Sequence, residues 1–348
     1  MSAFATFPLA RYRFEFQVTQ PIRLPDYAGS MLRGAFGHAL RQLACMTRQK
    51  ECDGCMLLGT CPYPAIFAPL PPATHALQKF SQIPVPYVIE PPAWGARLLQ
   101  VSDTLHFHLV LIGRALRDLP LIILAWRRAL AQGVGAGDGT AELVCVVHCG
   151  ATTEGDIEIY RPETGAIIPH AQEVNLGNAS DDNTRSATLQ FNTPLRLQQN
   201  GHALPPEKLD ARTLLMALIR RTSLLAEFHA DGPLLTDFAP LFAACGGIRD
   251  DKNLIWRDWA RYSARQHQKM HLGGVVGTWT LNGNLDLFAP FLRLGEWLHV
   301  GKEAAFGLGG YTLGNRIRGD ISDNHEKNRE RPFQLIERNE IITQAQSA

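Results

Sequence analysis

Basic side chains and glycines near the C-terminal end of the chain have the residue types and the spacing that bind phosphate. Four basic residues recur at every fourth position: Arg257, Arg261, Arg265 and Lys269. That spacing keeps side chains on one side of either a helix or a strand. Three aromatic residues that could stack on bases interleave with them: Trp256, Trp259 and Tyr262. Regular charge is also typical of a solvated face, but this combination favours binding of a chain of phosphates.

A loop of glycines follows this basic row. It runs from His299 to Tyr311 and contains four glycines that could present amides: Gly301, Gly307, Gly309 and Gly310. Successive backbone amides in such a loop can form a concave site for an anion. We therefore expect bare amides here, close to the positive charge of the basic row.

Four cysteines form a separate candidate site, with the spacing C-x6-C-x2-C-x5-C: Cys45, Cys52, Cys55 and Cys61. Four thiolates satisfy one tetrahedral zinc ion, and a C-x2-C pair reaches one metal readily. We expect a structural zinc that fixes the loop after the first helix. An iron–sulfur cluster and four unligated thiols are the alternatives.

Composition limits the class of protein. The chain has 348 residues, of which 45% are hydrophobic and 19% charged, as expected of a folded chain of two domains. The formal net charge of +1 excludes a protein that coats nucleic acid by overall charge, although it permits a local basic face. We find no pattern typical of a membrane span or a signal peptide, and we expect a cytoplasmic protein with reduced cysteines.

Hydrophobic patterns predict the elements that position these residues. The first half has the predicted order strand, helix, strand, strand, helix, strand. Its first helix is capped by Ser30 and runs to about Cys45. The same order repeats in the second half, where Asp210 caps a helix. We predict an α+β protein with two tandem ferredoxin-like βαββαβ domains and a C-terminal glycine-rich loop. The predicted bounds are 1–183 with the inserted four-cysteine loop, 184–315 with the glycine-rich loop, and a loosely ordered polar tail over 316–348.

Three stretches resemble the CRISPR-associated endoribonucleases of the RAMP superfamily, which process precursor CRISPR RNA. They are Leu32-Arg-Gly-Ala-Phe-Gly-His-Ala-Leu-Arg41, the segment ending in Cys61-Pro-Tyr63, and the block from Trp256 to Leu313. The resemblance covers nearly the whole chain up to Leu313. It implies two ferredoxin-like domains, metal-independent cleavage within CRISPR repeats, and a guide RNA passed to an effector complex.

Metal-independent cleavage of RNA requires an acid, a base and positive charge at the phosphate. The 2′-hydroxyl of the RNA attacks, so the expected products are a 2′,3′-cyclic phosphate and a 5′-hydroxyl. We choose His38 for proton transfer because histidine titrates near neutrality and because family members often place the active histidine on the first helix. His299 and His271 are the runners-up. Tyr27, before the same helix, could assist or could pack at the helix entrance, and Lys302 could contact the phosphate.

The remaining predicted RNA contacts are the basic row, the four glycines, and Arg33 and Arg41, which could instead solvate the outer face of the first helix. The leading hypothesis is an endoribonuclease that binds CRISPR repeat RNA, with effector-complex subunits as further partners and no membrane partner. The alternative is a non-catalytic RAMP subunit that binds processed RNA as a scaffold. A zinc-dependent hydrolase is a third possibility, which four thiolate ligands disfavour because they leave no open position for water.

Overall fold

Two large antiparallel sheets, each covered by two helices on one face, form the body of the described residues in a computed structural model. The structure describes residues 6–72, 82–150, 155–176, 184–230, 232, 237–263 and 268–314. Within β13 and β14, only the backbone is described between residues 260 and 272. The predicted polar tail over 316–348 lies outside the described residues.

The first sheet has the strand order β4-β6-β2-β7-β8. Its principal elements are β2 (Leu9–Val18), α1 (Gly29–Ala44), β4 (Tyr87–Glu90), β6 (Thr104–Ile112), α3 (Leu119–Gln132), β7 (Ala141–Cys149) and β8 (Ile157–Tyr160). Without the edge strand β8, this is the order of a βαββαβ ferredoxin-like unit. A short helix, α2 (Pro62–Phe67), follows the four-cysteine loop. Four short strands lie outside this sheet: β1 (Thr6–Phe7), β3 (Ile22–Leu24), β5 (Arg97–Leu99) and β9 (Val174–Asn175).

Alternate residues of the first sheet face α1 and α3. Phe14 stacks on Phe107 with ring centroids 5.6 Å apart, and Phe36 of α1 stacks on Trp126 of α3 at 4.9 Å. All four side chains are buried. The period of two along β2 therefore fixes which face of the sheet carries α1.

The second sheet has the order β13-β14-β10-β15, which is again that of a βαββαβ unit. Its elements are β10 (Ser186–Leu195), α4 (Ala211–His229), β13 (Arg249–Ser263), β14 (Gln268–Asn282), α6 (Ala289–Leu298) and β15 (Tyr311–Leu313). Three short elements lie between β10 and β13: β11 (Gln198–Gln199), β12 (His202–Ala203) and α5 (Ala239–Ala244). The predicted tandem ferredoxin-like fold is confirmed, whereas the predicted domain boundaries remain predictions.

The two units are joined by an apolar interface. The face of the first sheet opposite α1 contributes Leu9, Val88 and Val110, and α4 and α6 contribute Leu225 and Leu294. All five side chains are at most 1% exposed. Burial on this scale makes the relative placement of the units part of the folding energy rather than a loose contact.

Local signals for the helix ends were partly right. Asp210 accepts a hydrogen bond from the backbone N–H of Thr213 at 2.7 Å and caps α4 as predicted. The prediction that Ser30 caps α1 was wrong, because the helix begins at Gly29 and Ala28 is the N-cap residue. Gly29 allows this start because a Cβ there would lie 2.1 Å from the Phe306 carbonyl oxygen. Among the described residues, no helix has the length and hydropathy of a membrane span.

Candidate nucleic-acid interface

His38 lies on the solvent-facing side of α1. Its side chain is exposed, and so is Gly34 one turn earlier, where an added Cβ would meet no atom within 4 Å. Leu32, Phe36, Ala39 and Leu40 occupy the buried side of the helix. The imidazole therefore faces open space, on the side of the helix opposite its apolar residues.

A chain of hydrogen bonds orients this imidazole. Gln132 Nε2 of α3 donates to Gln42 Oε1 at 3.0 Å, and Gln42 Nε2 lies 2.7 Å from His38 Nε2. Because the Gln42 oxygen accepts from Gln132, its amide nitrogen faces His38, and His38 Nε2 acts as the acceptor. The neutral ring consequently carries its proton on Nδ1. Gln42 stands four residues after His38, the spacing of neighbours on a helix face, but the sequence analysis did not single it out.

Gly37 does not leave room for a ligand, although it stands next to His38. A Cβ at Gly37 would lie 2.2 Å from Cζ of Phe67, so the Phe67 ring of α2 occupies that space. The open space beside His38 is therefore on the Gly34 side of the helix.

Tyr27 lies at the junction between α1 and the glycine loop. Its hydroxyl donates to the Phe306 carbonyl oxygen at 2.7 Å, and its ring centroid lies 4.8 Å from that of Trp94 and 6.2 Å from that of Trp259. Burial raises the pKa of Tyr27 well above its ordinary value. This geometry matches the packing interpretation of Tyr27, and its predicted catalytic role stays a prediction.

Three glycines of the loop have buried, hydrogen-bonded amides. Gly307 donates to the Ala304 carbonyl at 3.0 Å, Gly309 to the Pro194 carbonyl at 3.0 Å, and Gly310 to Thr193 Oγ1 at 2.8 Å. The expectation of bare amides is therefore wrong for Gly307, Gly309 and Gly310. Gly301 is half-buried and bridges to Arg196.

Lys302 is the exposed cation of the loop. Its backbone N–H donates to the Arg196 carbonyl at 2.9 Å, which places it beside the end of β10. Arg196 Nη1 in turn donates to the Gly273 carbonyl of β14 at 2.7 Å. Gly273 pairs with Asp258 and the next residue with Arg257, so these bonds link Lys302 to the β13–β14 hairpin.

The basic row is divided between two strands. Arg257 and Arg261 lie on β13, Lys269 lies on β14 opposite Tyr262, and Arg265 falls outside the described residues. The prediction that one element carries all four was wrong, because the chain reverses direction between the two strands. The Arg257 guanidinium lies over the Trp94 ring, 4.4 Å from its centroid. The side chains of Arg261 and Lys269 lie outside the described residues, as does that of His271.

Arg33 and Arg41 contact the segment that follows α1. The Arg33 guanidinium lies 4.5 Å from the centroid of the Phe67 ring. Arg41 donates to the carbonyl oxygens of Gln49 and Lys50, the latter at 2.7 Å, and lies over the Tyr63 ring. Both guanidinium groups therefore help to hold α2 and the four-cysteine loop, a role that the sequence analysis did not predict.

His299 is buried at the interface between the two units. Its Nε2 lies 3.3 Å from Glu90 Oε1, which also accepts a hydrogen bond from Arg11 at 2.7 Å. Although burial alone would raise the pKa of Glu90, Arg11 and His299 hold it below its ordinary value. His299 is 5% exposed, so it is less accessible to a ligand than His38.

Two neighbourhoods thus result. Tyr27, Trp94 and Arg257 lie together beside the glycine loop at the N-terminal end of α1, and Lys302 belongs to that loop. His38 lies nine residues further along the helix than Gly29. At 1.5 Å per residue this is about 13 Å, roughly the distance that four phosphates span along one strand of a duplex. One nucleic-acid strand is long enough to reach both neighbourhoods.

Two family models match the chain. Residues 189–311 match the model described as the CRISPR-associated endoribonuclease Cas6, and residues 7–172 match AF_1859_N, described as an N-terminal domain. An uncharacterized protein of Archaeoglobus fulgidus is 22% identical over 299 residues, which cover 83% of this chain and 92% of that protein.

Solved structures share the fold. The product complex of Cas6 (TTHB231), a Thermus thermophilus protein, superposes with a TM-score of 0.53 at 16% identity, covering 88% of this chain and 99% of that one. A chain of a partial Cas6-RT-Cas1–Cas2 complex superposes with a TM-score of 0.54 at 13% identity, covering 90% of this chain and 47% of that one. These likenesses agree with the strand order of both sheets.

Proposed function

We propose that this chain, a Cas6-type protein of the RAMP superfamily, is an endoribonuclease that cleaves precursor CRISPR RNA within its repeats. The match to the Cas6 family model supports processing of CRISPR RNA. The observation that carries the assignment to a site is the exposed imidazole of His38, which two glutamines orient beside the open surface at Gly34.

His38 transfers a proton during cleavage in this proposal. With Nε2 free of its proton in the neutral ring, the imidazole can accept the proton of the 2′-hydroxyl, if Gln42 yields its place to the ribose. The hydroxyl oxygen then attacks the adjacent phosphorus, the bond to the 5′-oxygen breaks, and that oxygen takes up a proton from solvent water while His38 returns its proton to solvent. The ends are a 2′,3′-cyclic phosphate and a 5′-hydroxyl, and no metal ion takes part.

In this proposal, exposed side chains rather than the buried glycines neutralise the charge of the phosphate chain. Lys302 is exposed. Hydrogen bonds through Arg196 link its backbone to the β13–β14 hairpin, where the Arg257 guanidinium lies over the Trp94 ring. Arg261 and Lys269 belong to the same hairpin and extend the proposed contact, and Arg265 stays part of the predicted contact. Neutralising three or four phosphates makes binding fall steeply with salt.

The test is incubation of the full chain with labelled repeat RNA in the presence of a chelator. We expect discrete cleavage by the unmodified protein, loss of cleavage with retained binding in His38→Ala, and no cleavage of RNA with deoxyribose at the cut site. His106→Ala is the matched control, because His106 is exposed on the face of the first sheet opposite α1. It should cleave normally.

The outcomes separate the alternatives. Unchanged cleavage by His38→Ala would show that another group transfers the proton. Tight binding without cleavage by the unmodified protein would favour the scaffold subunit. For partners, the Cas6-RT-Cas1–Cas2 complex contains a chain of the same fold, which supports a proposal that other Cas proteins bind this chain.

A further inference from the structure

The four cysteines of the loop between α1 and α2 surround one small cavity. Cys45, Cys52, Cys55 and Cys61 all line it, and its volume is about 20 Å³. All four thiols are free and half-exposed. The proposed cleavage uses none of them, so their convergence needs a separate physical account.

Backbone hydrogen bonds already hold Cys52 and Cys55 in a compact turn. The N–H of Cys55 donates to the Cys52 carbonyl at 3.1 Å, the turn expected of a C-x2-C pair, and the N–H of Leu58 donates to the Cys55 carbonyl at 3.0 Å. Cys45 follows α1 directly, and Cys61 precedes the first residue of α2. The loop therefore brings together thiols from the end of one helix and the start of the next.

Two of the sulfurs already share a contact. Thr47 Oγ1 lies 4.0 Å from Cys45 Sγ and 3.5 Å from Cys55 Sγ. As the side chains stand, no three His, Cys, Asp or Glu residues in the described part of the chain are arranged as metal ligands. A change of χ1 rotamer moves a cysteine sulfur by about 3 Å. Side-chain rotation would therefore have to bring the four sulfurs into ligand geometry.

The cavity, about 20 Å³ in volume, has room for a single ion. An iron–sulfur cluster stays the alternative that elemental analysis separates from zinc. Four sulfur donors around a single tetrahedral ion are the ligand set that zinc takes in structural sites.

We propose that Cys45, Cys52, Cys55 and Cys61 hold one zinc ion as a closed tetrathiolate site. Binding exchanges four thiol protons for one Zn²⁺, which leaves a net charge of −2 on the site. The Arg41 guanidinium, which donates to two carbonyls of the same loop, supplies nearby positive charge. With no ligand position open, the ion is structural and takes no part in catalysis.

The consequence is a fixed position for α2 on α1. Tyr63 and Phe67 of α2 stack with ring centroids 5.6 Å apart, and the Phe67 ring fills the space over Gly37. Gly37 directly precedes His38. Zinc at the cysteine site therefore holds the helix pair beside the proposed imidazole without contacting the RNA.

The first test measures metal in the full chain purified without chelator. We expect about one zinc per chain by elemental analysis, and less than about a tenth of that in a Cys52→Ser/Cys55→Ser variant. The matched control is Cys149→Ser, a half-buried free thiol of β7, which should keep its zinc. Iron in place of zinc, or equal zinc in all three proteins, would overturn the proposal.

The second test uses the unmodified protein, so its result does not depend on whether a cysteine variant folds. After removal of metal under reducing conditions, Co²⁺ should restore the absorption of a tetrahedral thiolate site at one ion per chain, and Zn²⁺ should displace it. Zinc should also slow the reaction of four thiols with a thiol reagent and raise the unfolding temperature. No cobalt spectrum and no protected thiols would refute the site even if RNA cleavage proceeds normally.

Discussion

Gly34 and Gly37 stand on the same helix three residues apart, and the structure predicts opposite effects of the same substitution. At Gly34 an added Cβ meets nothing within 4 Å. At Gly37 it lies 2.2 Å from Phe67 Cζ, so the ring must move by about 1.3 Å or more to reach van der Waals contact. Neighbouring rings resist that movement, since Phe67 lies between Tyr63 and Tyr87.

The magnitudes follow from these contacts. Gly34→Ala should stabilise the protein by about 0.5–1 kcal/mol, because alanine restricts the unfolded chain and suits the helix better. Gly37→Ala gains the same helix term but overpacks the contact with Phe67, which costs about 1–3 kcal/mol. The two variants should therefore differ in the free energy of unfolding by roughly the overpacking cost, with Gly37→Ala the less stable.

Thermal unfolding followed by circular dichroism measures the difference. For a domain of this size the two midpoints should differ by roughly 2–12 °C. Phe67→Leu shortens the clashing side chain, so Gly37→Ala should cost little or nothing in that background, a coupling that a double-mutant cycle measures. Equal midpoints for the two alanine variants, or the same cost in both backgrounds, would refute the close contact between Gly37 and Phe67.

Three further substitutions test single contacts. Tyr27→Phe leaves the Phe306 carbonyl without its 2.7 Å donor and should cost about 1–3 kcal/mol in chemical unfolding, while Tyr27→Phe should still cleave RNA if the hydroxyl only joins α1 to the loop. Glu90→Gln should destabilise the protein at pH 7. Because the folded pKa of Glu90 lies below its ordinary value, the stability that its charge contributes is present above about pH 5 and decreases as the pH falls below about 4. The stability gap between Glu90→Gln and the unmodified protein should narrow across that range, and a constant gap would contradict the ion pair with Arg11. Asp210→Ala should cost about 1 kcal/mol by removing the cap of α4, with no change in RNA binding.

The order of helices and strands was predictable because burial imposes clear periods on this chain. The apolar stretches of the sequence over 141–149 and 287–298 coincide with β7 (Ala141–Cys149) and with α6 (Ala289–Leu298), which has its proline in the first turn. The hairpin of β13 and β14 was predicted less well. Ile255 and Trp256 are 65% and 38% exposed, so this part of β13 has no alternation of apolar and polar residues to reveal it.

The candidate site was predictable only in part, for a different reason. The exposure of His38 follows from the helical period alone. The partners of Arg33 and Arg41 do not, because α2 and the cysteine loop determine them. Gln132, which orients Gln42, lies 90 residues further along the chain, on α3. Contacts at such separations depend on how the helices pack, and no local pattern in the sequence encodes that.

The glycine loop shows why composition misleads about phosphate binding. A nest of free amides and a tight packing contact both need residues without a Cβ, so glycines at these positions predict either equally well. The structure selects packing: a Cβ at Gly307 would lie 2.6 Å from the Tyr27 hydroxyl, and one at Gly310 would lie 2.7 Å from the His299 ring. Since this loop packs α1 against the second sheet, the phosphate contacts of the proposed function fall to exposed side chains at its rim. Lys302 is one of these, and Lys302→Ala should therefore weaken RNA binding and reduce its salt dependence by about one phosphate contact. An unchanged salt dependence would show that the RNA lies elsewhere.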